Sequence, residues 1–152
     1  MIPKTLEEIA SYIVKDGKGI LAADESTGTI EKRFKSIDVE STEDNRRKYR
    51  EMLFRSPAMA EAIGGVILFD ETLRQKAQDG SYLRDVILSH GSLPGIKVDQ
   101  GAKELKDNPN EKITTGLDGL NERCREYDAL GAKFTKWRAV INIGNGIPSA
   151  KC

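Results

Sequence analysis

Histidine, cysteine and tryptophan are scarce in this chain of 152 residues: one histidine, two cysteines and one tryptophan. His90 alone cannot build a multi-histidine metal site. Cys124 and Cys152 form neither a disulfide framework nor a CxxC pair. Net charge is missing too, because 24 Lys plus Arg balance 24 Asp plus Glu. That balance excludes a generally polybasic nucleic-acid or membrane binder. No apolar run approaches a membrane span. The N-terminal MIPKTLEEIASYIV carries acidic residues and no long apolar core, so neither a signal peptide nor a transit peptide is expected. A reduced, cytoplasmic setting is the expectation.

What is present is an ordinary globular composition, with 38% hydrophobic and 32% charged residues. Thr5 and Glu8 fit a capping box, followed by an apolar stripe of Leu6, Ile9, Ala10 and Ile13 that ends at Asp16-Gly17. Four strand-length apolar runs follow: 19–24, 64–70, 95–99 and 134–143, three of them opening on glycine. Helical patterns lie between them. One is capped by Ser41 and carries Tyr49, Met52 and Leu53 on one face. A second runs from Tyr82 to Leu88, and a third follows Leu117, Leu120, Cys124, Tyr127 and Leu130. The segment DNPNEK (107–112) reads as a polar loop. Strands separated by helix-length segments predict a parallel α/β sheet.

Side chains alternate faces along a strand. Lys97 and Asp99 therefore share one face of the third run, and Lys136 and Arg138 one face of the fourth, while Asp24 ends the first. A sheet buried on both faces would make such cations costly. A (β/α) barrel accommodates them, because its polar side chains project from the C-terminal ends of several strands. Asp24, Lys97, Asp99, Lys136 and Arg138 are then expected to converge on one site for proton transfer beside an anionic ligand. A buried structural ion-pair network satisfies the same pattern. The turn Glu25-Ser26-Thr27-Gly28-Thr29 before Lys32-Arg33 suits a phosphate at a helix start, and equally an N-capped surface helix. Arg46, Arg47, Lys48 and Arg50 read as a solvated helix face partly offset by Glu43 and Asp44; zero net charge disfavours a nucleic-acid patch there.

Five segments carry a resemblance: GKGILAADESTGTIEKRF (17–34), EDNRRKYR (43–50), GGVILFDETLRQKAQDG (64–80), PGIKVDQGAK (94–103) and TGLDGLNERCREYDALGAKFTKWRAVI (115–141). In this order they resemble class I fructose-1,6-bisphosphate aldolases. The resemblance implies a TIM barrel, with residues 1–152 as the N-terminal part of its single domain and about four of its β/α units. It implies reversible cleavage of fructose 1,6-bisphosphate to dihydroxyacetone phosphate and glyceraldehyde 3-phosphate through a lysine Schiff base, with no metal or other cofactor, in a homotetramer.

By position, Asp24 resembles the family's active-site aspartate and Lys136 the lysine beside the Schiff-base site. Lys97 resembles a substrate-contacting lysine. Ser26, Thr29 and Arg33 match the phosphate-binding loop, Arg46 a position tied to phosphate binding, and Arg138 the arginine beside the site. The family's Schiff-base lysine on the sixth strand and its glutamate acid/base on the fifth have no counterpart within these 152 residues. Residues 1–152 alone are expected to be inactive. The alternative is a non-catalytic product that binds sugar phosphates or associates with aldolase subunits.

Overall fold

A computed structural model describes residues 3–152. Helix α1 (Leu6–Ile13) starts at the expected capping box: the Thr5 hydroxyl accepts from the Glu8 N–H, and the Glu8 carboxylate accepts from the Thr5 N–H. Only Ile9 and Ile13 of its predicted stripe are buried. A 3-10 turn (Lys15–Gly17) leads into β1 (Gly19–Ala23), followed by α2 (Thr27–Lys35) and α3 (Glu43–Phe54). Next come α4 (Ala58–Ala62), β2 (Ile63–Leu68), α5 (Asp70–Arg74), α6 (Leu83–Ser89) and β3 (Leu93–Lys97). The chain continues through β4 (Ala102–Leu105), β5 (Asn108–Thr114), α7 (Leu120–Ala129) and β6 (Phe134–Lys136).

Strands β1, β2, β3 and β6 form one sheet in that order, parallel throughout. Its register sets out the layers of one face. Ala22 pairs with Ile67, Ile67 with Gly95, and Gly95 with Phe134, while one step later Lys97 pairs with Lys136. The other face carries Ala23, Val66, Leu68 and Ile96 into the main core, which Phe54, Met59, Leu73, Leu83, Ile87 and Tyr127 complete from the helical side. Phe54 and Leu83 are fully buried; truncating such a phenylalanine to alanine costs about 3–5 kcal/mol. A second cluster of Ile9, Ile13 and Leu93, with Tyr12, Leu88 and Phe134 against it, closes the N-terminal ends of the strands.

Gly64 and Gly95 are demanded by close approach. A Cβ on Gly64 would lie 1.9 Å from the Ile13 carbonyl oxygen, and one on Gly95 would lie 2.4 Å from the Phe134 ring.

Several elements depart from the sequence reading. Thr42, rather than Ser41, caps α3, its hydroxyl accepting from the Asn45 N–H. The buried face of α3 is Arg50 and Phe54, and Met52 is exposed. Residues 107–112 are largely strand, because β4 and β5 pair as an antiparallel hairpin. The fourth strand of the sheet spans three residues, where the apolar alternation extended to Ile143. Its partner β3 ends at Lys97, opposite Lys136, so nothing remains for residues 137–143 to pair with. Leu117 lies outside α7 and is exposed.

Candidate active site

A cavity of about 720 Å³ opens at the C-terminal ends of β1, β2, β3 and β6. Asp24, Lys97, Asp99, Lys136 and Arg138 all line it, as the alternation of faces predicts. So do Ser26, Thr29 and Arg33 from the start of α2.

The cavity is organised by two ion pairs. Lys136 Nζ donates to Asp24 Oδ2 at 2.7 Å. Lys97 Nζ donates to Asp99 Oδ1 and to the Asp99 carbonyl, both at 2.6 Å. Asp99 accepts further from the N–H groups of Gly101 at 3.1 Å and Arg138 at 3.2 Å. Burial, the largest single influence, pushes the Asp99 carboxyl up. The Lys97 ammonium and the two N–H donors outweigh it and hold the group below the usual carboxylate range. Asp99 thus pins Lys97 and the backbone at Arg138 together, leaving the Arg138 side chain on the cavity wall.

The rim on the α2 side is built from backbone. Ser26 is the N-cap of α2, yet its hydroxyl makes no capping bond and instead meets the Thr29 hydroxyl at 3.1 Å. The two hydroxyls therefore lie together on the cavity wall at the start of a helix, an arrangement that suits an anion. Arg33 adds a cation, paired with Glu25 at 2.6 Å.

Arg46 is placed elsewhere. It forms a two-pronged pair with Glu71 of α5 at 2.9 and 2.6 Å and donates to the Ser41 carbonyl. Its hydrogen bonds to Glu71 raise its pKa, and it is absent from the cavity lining. This arginine fastens α3 to α5.

Three residues of the site area escaped sequence reasoning. Lys112 of β5 lines the cavity from the hairpin, a position hidden when the segment is read as loop. Arg50 reads from sequence as part of a solvated face, yet its side chain is 3% exposed and paired with Glu25 at 3.1 Å. Burial draws its pKa down, opposed by the Glu25 charge. The spacing Arg46, Arg50, Phe54 is a single helical face and was the available signal. Glu25, adjacent to Asp24, reads from sequence only as part of a turn.

Cys124 packs partly buried against the core, and Cys152 is exposed. Among the described residues no group of three or more His, Cys, Asp or Glu side chains is placed to hold a metal ion. Nor is any helix among them long and apolar enough to cross a membrane.

A parallel strand–helix sheet whose charged side chains gather at the strand C-terminal ends is the arrangement of part of a (β/α) barrel. Comparisons narrow this to one family. The family profile "Fructose-bisphosphate aldolase class-I" matches residues 5–152, and the chain belongs to that family. It is 55% identical over 147 residues to "Probable fructose-bisphosphate aldolase class 1" of Xanthomonas axonopodis pv. citri, covering 97% of this chain and 44% of that protein. It is 57% identical over 150 residues to "Fructose-bisphosphate aldolase 4, cytosolic" of Arabidopsis thaliana, covering 97% of this chain and 38% of that one. The fold matches fructose-bisphosphate aldolase from Plasmodium falciparum, solved in complex with TRAP and a small molecule inhibitor. That match has a TM-score of 0.90 at 46% identity and covers 94% of this chain and 42% of the other. The parallel sheet is thus part of an aldolase TIM barrel, and the chain spans about two-fifths of the length of these relatives.

Proposed function

We propose that residues 1–152 form the N-terminal part of the single barrel domain of a class I fructose-bisphosphate aldolase of glycolysis and gluconeogenesis. The reaction is reversible cleavage of fructose 1,6-bisphosphate to dihydroxyacetone phosphate and glyceraldehyde 3-phosphate. The Asp24–Lys136 pair, facing a cavity rimmed by Ser26, Thr29 and Arg33, carries this reading. Asp24 and Lys136 handle protons and charge at the reacting carbons. Ser26, Thr29, the α2 N–H groups and Arg33 take one phosphate, and Lys97 and Arg138 contact the rest of the substrate. Arg46 serves by fastening α3, which carries Arg50 behind the α2 loop. The named cytosolic relative supports a cytosolic site of action, and the resemblance supports a homotetrameric assembly.

By themselves these residues bind a sugar phosphate without cleaving it. Carbon–carbon cleavage through an imine needs a free amine to attack the carbonyl. Both lysines at the base of the cavity are already held by carboxylates, Lys97 by Asp99 at 2.6 Å and Lys136 by Asp24 at 2.7 Å. Borohydride trapping with dihydroxyacetone phosphate tests this: no stoichiometric adduct is expected on residues 1–152, and efficient trapping on one lysine would contradict it.

A second reading, a non-catalytic product that associates with aldolase subunits, draws on one observation. Among the described residues, strands β1 and β6 each pair on one side only, which leaves two sheet edges able to accept strands. Co-elution with a full-length aldolase subunit, together with failure to bind sugar phosphates alone, would favour it.

A further inference from the structure

Glu25 stands between two arginines. Its Oε1 is 2.6 Å from Arg33 Nη1, and its Oε2 is 3.1 Å from Arg50 Nη1. Arg50 Nη2 also donates to the Glu25 carbonyl at 3.0 Å. The two guanidinium groups differ in their surroundings. The Arg33 side chain is 59% exposed and lines the cavity, whereas the Arg50 side chain is 3% exposed and lies behind the loop. Tyr49 links them: Arg50 lies over its ring at 5.3 Å, and its hydroxyl is 3.5 Å from Arg33 Nη1.

Arg50 is costly to keep. Its Nε and Nη1, and Glu25 Oε2, make no hydrogen bond among the described residues. A buried ion pair with unmet donors contributes little stability compared with apolar packing, so fold stability alone is a poor account of it.

A phosphate at the rim poses a specific problem for Arg33. To take the phosphate it must leave or share Glu25. A carboxylate left alone there, with its side chain 10% exposed, would be poorly solvated and would repel the incoming anion. Arg50 removes both difficulties because it stays on Glu25 from the far side.

We infer that Arg50 is a positioning residue: it holds Glu25 so that Arg33 can pass from Glu25 to a phosphomonoester at the mouth of the cavity. This rests on the sugar-phosphate reading above. The geometry divides the labour between an exposed arginine that moves to the ligand and a buried one that neutralises the carboxylate it leaves.

Inorganic phosphate is the probe, with affinity read by titration calorimetry on the 152-residue chain at fixed ionic strength. Arg50→Met is expected to weaken phosphate about tenfold, because Glu25 is then unshared and holds Arg33 while repelling the anion. Adding Glu25→Gln removes that carboxylate and is expected to restore affinity to within about threefold of the unaltered chain. A merely structural arginine gives no such recovery. Unchanged affinity in Arg50→Met, or a double variant as weak as the single one, overturns the inference and leaves the phosphate reading standing. Failure of the unaltered chain to bind phosphate overturns that reading, and the inference with it. If Arg50→Met does not fold, nitrogen-15 spectra of the arginine side chains in the unaltered chain decide the matter. Phosphate is expected to shift the Arg33 Nε signal and leave that of Arg50 in place; the converse overturns the inference.

Discussion

Lys136 Nζ reaches Asp24 Oδ2 at 2.7 Å across 112 residues of sequence, and the two lie at the ends of the outermost strands of the sheet, β6 and β1. In a flat sheet three strand spacings would separate those backbones by about 14 Å. A lysine and an aspartate meeting over that span require a sheet curled about its polar face. The curl is what a partial barrel supplies, and it draws the C-terminal ends of all four strands onto one cavity.

Breaking this pair from one side leaves a charge in a confined place. Asp24→Asn and Lys136→Met are each expected to lower stability by about 1–3 kcal/mol, since both side chains are mostly buried. The double variant is expected to lose less than the sum of the two. Urea unfolding of the four chains measures the coupling, and strict additivity would show that the contact contributes nothing.

Asp99 makes acid sensitivity assignable. Its pKa is lower in the folded chain than the usual carboxylate value, so its contribution is full above an unfolded pKa of about 3.9. That contribution disappears as pH falls through the folded value. The urea midpoint of the unaltered chain should therefore drop between about pH 5 and pH 2 more steeply than that of Asp99→Asn. Equal slopes would remove Asp99 from the account.

The two crowded glycines should behave differently. Gly95→Ala forces a methyl group against the Phe134 ring and is expected to cost about 1–3 kcal/mol, recovered in part by Phe134→Leu. Gly64→Ala meets the Ile13 backbone instead, which cannot rotate away, so its cost should be larger and unaffected by Phe134→Leu. Thermal melts of the three single variants and the two doubles compare these directly.

Lys112 extends the cavity's positive wall beyond the residues that the family resemblance supplies. Among the described residues it has no ion-pair partner. Lys112→Gln is expected to weaken fructose 1,6-bisphosphate binding about threefold at low salt, with the difference shrinking at high salt as screening takes over. Binding calorimetry at two ionic strengths checks both points, and a salt-independent difference would argue against a charge effect.

Much of this arrangement is local enough to be visible in sequence. The capping box at Thr5 and Glu8, the glycine-led strands and the alternation that sends Lys97 and Lys136 to one face depend on neighbours a few residues apart. The remainder depends on distant partners. The β4–β5 hairpin was hidden because Asp107 to Lys112 has a proline, two asparagines and no apolar face to mark a strand. Its strand character comes from pairing with β4 and from Glu111, which is buried with its carboxylate on the Ser149 N–H. The shortness of β6 is dictated by where β3 stops. Arg46 and Arg50 find their carboxylates 25 residues away, at Glu71 and Glu25, so their charge alone suggested solvent when their helical phase pointed inward.

The central claim is that the cavity at the strand ends is the sugar-phosphate site. Amide chemical-shift mapping of the chain with fructose 1,6-bisphosphate tests it most directly. The account predicts saturable shifts centred on Ser26, Thr29, Arg33, Lys97 and Lys136. Absence of saturable binding at millimolar ligand, or shifts centred on the exposed face of α3 at Asp44 and Lys48, would contradict it.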